Sequence, residues 1–128
     1  SDYLVDVSLL GLSVPFGVVD ARAPEMARTA AQIEEAFHYP VGGIGRYASD
    51  LFMGGNPWAL SALWLSLYYL QAGKRAEPQR HLEWCLRYAT PHGFLAEQQE
   101  KRTGEPVSAM PLAWAHAWLI ALCHALAK

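Results

Sequence analysis

The sequence is poor in charge and in cysteine. Only 17 % of its 128 residues are charged, and the net charge is −2 with histidine neutral. No basic run occurs, which argues against a nucleic-acid partner, because phosphate binding needs clustered Lys and Arg. The two cysteines, Cys85 and Cys123, lie far apart in apolar helical patterns and read as buried free thiols rather than a disulfide framework. The five histidines form no tight ligand pair, and His116 and His124 stand two helical turns apart, so no metal site is expected. Gly-x-Ser-x-Gly, a phosphate loop and a dinucleotide fingerprint are all missing, and no cofactor is expected. No signal-peptide pattern opens the chain, so the expectation leans to a cytoplasmic location. The run from Ala109 to Ala127 is apolar enough to imitate a membrane span. It carries His116 and His124 and lacks basic flanks, so it reads as a buried helix.

Apolar side chains are plentiful at 52 %, enough for one domain over residues 1–128 with a real core. Aromatics reach 12 %, with five Trp and six Tyr. Such rings fill helical cores, and they also stack on the CH faces of sugars.

The periodicity predicts five helices and no alternating strand, hence an all-α fold. The first is expected from about Asp2 to Leu12, closed by Gly11 and Pro15. The second starts at Pro24, where a missing N–H is harmless, and carries Met26, Ala30, Ile33 and Phe37 on one face. The third is announced by Asn56-Pro57, with Asn56 as the cap, and runs to about Ala72 with apolar residues all round. The fourth begins near Pro78, burying Leu82, Cys85, Leu86 and Ala89 and pairing Glu83 with Arg87 outside. The fifth, Pro111 to Ala127, is again apolar on nearly all sides. Amphipathic helices thus alternate with wholly apolar ones, the pattern of inner helices wrapped by outer ones. No internal repeat stands out.

Two long loops, Val41–Asn56 and Thr90–Ala109, each precede a wholly apolar helix and are expected to open at the same end. The first holds Arg46, whose planar fork of donors suits sugar hydroxyls, and Asp50, which can orient Arg46 or Asn56. The second holds Glu97, a carboxylate able to take a proton from water as a general base. Each residue also has an ordinary reading: Glu97 as a solvated surface glutamate, Arg46 as a salt bridge to Asp50, and Trp58 and Trp114 as core packing.

The run Gly45-Arg46-Tyr47, Asp50 and Gly55-Asn56-Pro57-Trp58 resembles the glucoamylase family, glycoside hydrolase family 15. So do Leu95-Ala96-Glu97-Gln98, Thr103-Gly104-Glu105-Pro106 and Pro111-Leu112-Ala113-Trp114-Ala115-His116-Ala117. Asp6-Val7-Ser8-Leu9-Leu10 and Pro15-Phe16-Gly17 resemble the bacterial and archaeal branch, so the resemblance is collinear over nearly the whole chain. It implies part of an (α/α)₆ barrel and inverting hydrolysis of terminal α-glucosidic bonds in malto-oligosaccharides or starch. It assigns Glu97 as general base, Arg46 as the grip on the terminal glucose, and Trp58 and Trp114 as lining, with Gln98 contacting the substrate or orienting the base. Asp50, Tyr47 and Asn56 would stand behind these contacts. Many members carry Pro-Glu where this chain has Ala48-Ser49, and the family's general acid lies upstream of the matched region. The expectation is therefore a C-terminal portion of a catalytic domain, inactive alone, with apolar flanks covered by the missing barrel half or by a second copy. The rival readings are a trehalose- or isomaltose-type α-glucosidase, and a non-catalytic carbohydrate-binding or regulatory domain.

Overall fold

The computed structural model describes residues 5–128. Four α-helices carry the architecture: α1 (Pro24–Phe37), α2 (Ala59–Gln71), α3 (Ala76–Arg87) and α4 (Ala113–Leu126). Two short strands, β1 (Gln98–Gln99) and β2 (Pro106–Val107), form an antiparallel ribbon in the second long loop. With these helices and few strand residues, the fold is all-α and corresponds to part of an (α/α)₆ barrel.

Within the described residues the first expected helix is a 3₁₀ segment, Val7–Leu12. The Asp6 carboxylate accepts the Ser8 N–H at 2.7 Å and starts the segment there. Residues 1–4 of the expected helix lie outside the described residues. Helix α1 follows the predicted stripe, burying Met26, Ala30, Ile33 and Phe37. It leaves polar Glu25, Arg28 and Glu35 outside.

Helix α2 is the centre of the core. Ten of its thirteen residues are buried, among them Leu63 and Leu65 at 0 % exposure, and it packs against both α3 and α4. Burying a Leu side chain stabilises by about 1.5–3 kcal/mol, so this helix supplies much of the hydrophobic driving force. Its start differs from expectation. Trp58 is the N-cap residue and makes no side-chain cap, while the Asn56 amide turns away into the neighbouring loops.

Helix α3 is amphipathic, burying His81, Leu82, Trp84 and Cys85. Leu86, expected inside, is 54 % exposed, because the buried stripe turns through Trp84 instead. The Glu83–Arg87 pair does not form, and Glu83 accepts from the Gln79 amide at 3.1 Å.

Helix α4 corrects the expectation of a buried fifth helix. Only Ala115 and Leu122 of its fourteen residues are buried, with Ile120 69 % exposed. Cys123 is likewise exposed, whereas Cys85 is buried and its thiol pushed up by desolvation. The helix meets α2 through Trp118, whose ring stacks on Trp64 at 5.5 Å. Much of its apolar surface away from α2 is exposed, Trp114 and Ile120 included. No helix among these residues is long and apolar enough to cross a membrane.

Candidate active site

The two long loops meet at the start of α2. Isolated antiparallel bridges join Ile44 to Trp58 and Trp58 to Gln98, so Trp58 is the strand-like link between them. The buried Asn56 completes the junction, donating from Nδ2 to Gln98 Oε1 at 3.1 Å and accepting the Lys101 N–H at 3.2 Å. The expectation that both loops open at one end holds.

The Arg46 loop is tightly wound. Gly55 has φ +71°, and a Cβ there would stand 2.4 Å from the Asp50 carbonyl oxygen, so only glycine closes the turn. Ser49 and Met53 also adopt left-handed backbone, at φ 63° and 53°. Two such non-glycine residues in five positions concentrate strain beside the candidate residues.

That winding folds Asp50 back under Arg46. The guanidinium donates from Nε to Oδ2 at 2.7 Å and from Nη2 to Oδ1 at 2.9 Å, a two-point grip that fixes its plane. Asp50 also accepts the Phe52 N–H at 3.1 Å. The guanidinium carbon stands 3.9 Å from the Trp58 ring centroid, with Tyr47 at 5.1 Å and Phe52 at 5.7 Å. Arg46 is therefore both ion-paired and caged by aromatics, and its remaining N–H donors have no protein acceptor among the described residues. The hydrogen bond from Arg46 holds the Asp50 carboxyl below the usual carboxylate range. In return it raises the arginine further, with a smaller push from the Glu97 charge.

The Glu97 loop is fixed through its backbone. The Glu97 N–H donates to the Ala109 carbonyl at 2.9 Å, and its carbonyl accepts from Ala59 at 3.3 Å. Its half-buried carboxylate accepts a single protein hydrogen bond among the described residues, from Gln98 Nε2 at 3.1 Å. Gln98 is fully buried at 0 % exposure, and Asn56 holds its other end. The Gln98 side chain is thus enclosed between Asn56 and Glu97, with no exposed surface to offer a ligand directly.

Beside the guanidinium lies a recess of about 250 Å³, lined by Asp6, Arg46, Tyr47, Trp58, Trp64 and Trp114 among others. Trp114 is 55 % exposed and forms an open wall, while Trp58 is 5 % exposed and forms the floor. Asp6 and Trp64 were not singled out from the sequence as site residues. Asp6 arrives because an antiparallel bridge pairs it with Tyr47, a long-range contact without a local signature. A recess of about 260 Å³ between the 38–43 turn and α3 holds none of the site residues.

Residues 75–124 match the family model for glycosyl hydrolases family 15. Over 132 residues the chain is 41 % identical to an uncharacterised glycosyl hydrolase of Methanocaldococcus jannaschii, covering 93 % of this chain. The chain resembles glycosyl hydrolases family 15. A second relative, an isomaltose glucohydrolase of Kribbella flavida, is 33 % identical over 95 % of this chain. Among solved structures, a wild-type glycosidase superposes with TM-score 0.88 at 31 % identity, over 97 % of this chain. A bacterial glucoamylase solved with acarbose superposes with TM-score 0.80 at 29 % identity, over 94 % of this chain. The chain spans 21 % and 34 % of the two relatives and 36 % and 20 % of the two solved chains. It therefore matches one part of a larger family-15 architecture.

Proposed function

We propose that these residues form part of an inverting, exo-acting α-glucosidase of the glucoamylase type, acting on terminal α-glucosidic bonds of malto-oligosaccharides or starch. The observation that carries the reading is the Arg46 guanidinium, gripped by Asp50 and stacked on Trp58, at the rim of an aromatic recess one bridge away from the Glu97 loop. A sugar ring seated against Trp58 and Trp114 would offer its hydroxyls to Arg46 and its anomeric carbon toward the Glu97 side.

In this reading Glu97 takes a proton from water, and the resulting hydroxide-like oxygen attacks the anomeric carbon from the face opposite the leaving group. Inversion requires a second carboxyl about 6.5–9.5 Å from the base to protonate the leaving oxygen. That acid is assigned to the part of the family fold outside these 128 residues. The exposed face of α4, with Ile120 outward, is assigned to contact with the remaining barrel helices. Apolar surface of that kind drives association when left bare.

A second reading keeps the site and changes the bond: the 33 % identity to an isomaltose glucohydrolase favours an α-1,6-linked glucose terminus. The test is glucose release from maltotriose, isomaltose and trehalose by the intact protein beside its Glu97→Gln variant. Release from one substrate that disappears in Glu97→Gln supports the reading and selects the linkage. Sugar binding without turnover in either protein would leave a carbohydrate-binding domain and sink the hydrolase.

A further inference from the structure

Glu97 is held in place by more than the contacts its own backbone makes. Two residues earlier, Leu95 is 1 % exposed and both of its backbone groups are tied to the start of α4. Its carbonyl accepts the Leu112 N–H at 3.0 Å. Its N–H donates to the imidazole Nε2 of His116 at 3.0 Å.

An imidazole nitrogen can accept a hydrogen bond only when it carries no proton, so this contact requires neutral His116 with its proton on Nδ1. The ring is set for the task on two sides. His116 lies in the first turn of α4, where its own N–H closes onto the Leu112 carbonyl at 3.2 Å. Phe94 meets the imidazole edge-on, with centroids 6.5 Å apart and planes at 77°. His116 enters no ion pair among the described residues, and neither does Glu97, so no charge partner explains why a histidine stands here.

We propose that His116 is the positioning residue of the candidate base: as a neutral acceptor it clamps Leu95, and with Leu112 and Ala109 it fixes the segment that aims Glu97 at the recess. The role rests on Glu97 acting as the base, while the clamp stands on geometry alone. A leucine at this position would fill space and leave the enclosed Leu95 N–H without a partner, whereas glutamine can present an amide oxygen near the site of Nε2.

The test uses the intact protein labelled with ¹⁵N-histidine, the His116 resonances being identified by their loss in His116→Gln. The expected spectrum at neutral pH shows an unprotonated Nε2 and a protonated Nδ1 for His116. Hydrogen exchange at the Leu95 and Glu97 amides should be about 10-fold faster in His116→Leu and near wild type in His116→Gln. Turnover of the accepted α-glucoside should show kcat about 10-fold lower in His116→Leu with KM within about twofold, and recovery in His116→Gln. A protonated Nε2 in the wild-type protein overturns the clamp, as does unchanged exchange at Glu97 in His116→Leu. Equal losses in the Leu and Gln variants overturn the positioning role. If the wild-type protein turns over no α-glucoside, the glucosidase reading fails by itself, and the spectrum and exchange rates still decide the clamp.

Discussion

The two walls of the site are held in opposite ways. Arg46 is immobilised at its side chain: two hydrogen bonds to Asp50, a Trp58 face at 3.9 Å, and two further aromatic rings. Glu97 is immobilised at its backbone, and its carboxylate accepts only the Gln98 amide among the described residues. The difference matches the tasks proposed for them. A residue that grips a neutral, hydroxyl-rich ligand gains from a preset plane of donors, since less freedom is lost on binding. A general base needs an oxygen lone pair left open for water while the carboxylate stays aimed. Under the proposed function, one wall stays fixed in charge and geometry while the other exchanges a proton.

Removing the open carboxylate should do the most. Glu97→Gln in the intact protein is expected to lower kcat by about 10²–10⁴-fold while melting temperature barely moves, which steady-state kinetics and calorimetry together would check. A large fall in stability would mean that Glu97 is structural and that the two walls are not so different.

Next comes the fixed wall. Asp50→Ala strips Arg46 of its two-point partner in a partly enclosed setting, and about 3 kcal/mol of stability and about 10–100-fold in sugar affinity should be lost. The pH dependence has a definite sign. Asp50 has a folded pKa below its ordinary 3.8, so its contribution is present above that value and disappears as pH falls through the lowered one. Acid unfolding followed by circular dichroism should therefore bring wild type and Asp50→Ala together only at the acid end. A constant gap down to the most acidic pH would contradict the ion pair.

The Gln98 link tests how the open wall is aimed. Gln98→Leu leaves the Asn56 amide without its buried acceptor and Glu97 without its donor, at about 1–3 kcal/mol of stability. Its kcat should fall more than its KM rises. A pure KM effect would return Gln98 to the role of a substrate contact. The smallest effect belongs to Trp114→Ala. That ring is 55 % exposed, so stability should change by about 0.5 kcal/mol or less while sugar affinity falls several-fold in titration calorimetry. Unchanged affinity would remove Trp114 from the site.

Much of this arrangement was legible in the chain. The α1 stripe, the wholly apolar α2 and α4, and the family-like runs around Arg46 and Glu97 pointed to the architecture and to both walls. Other features escaped for physical reasons. Helices α2 and α4 look alike in sequence, yet one is enclosed and the other half-bare, because an apolar pattern records the neighbours a helix requires rather than those present. The exposed Cys123 follows from the same cause. Asn56 carried a capping signal, but its amide bonds instead across 42 positions to Gln98, a tertiary choice that local pattern cannot encode. The His116–Leu95 hydrogen bond spans 21 positions and was equally hidden, so His116 registered in an apolar run, a rejected metal pair and a family-like run, but without its partner.

The most direct test of the two-wall account is proton NMR of the first anomer released from the accepted α-glucoside by the intact protein. The account predicts β-glucose appearing first, with release abolished in Glu97→Gln. α-Glucose as the first product, or undiminished release in Glu97→Gln, would contradict a water activated by Glu97.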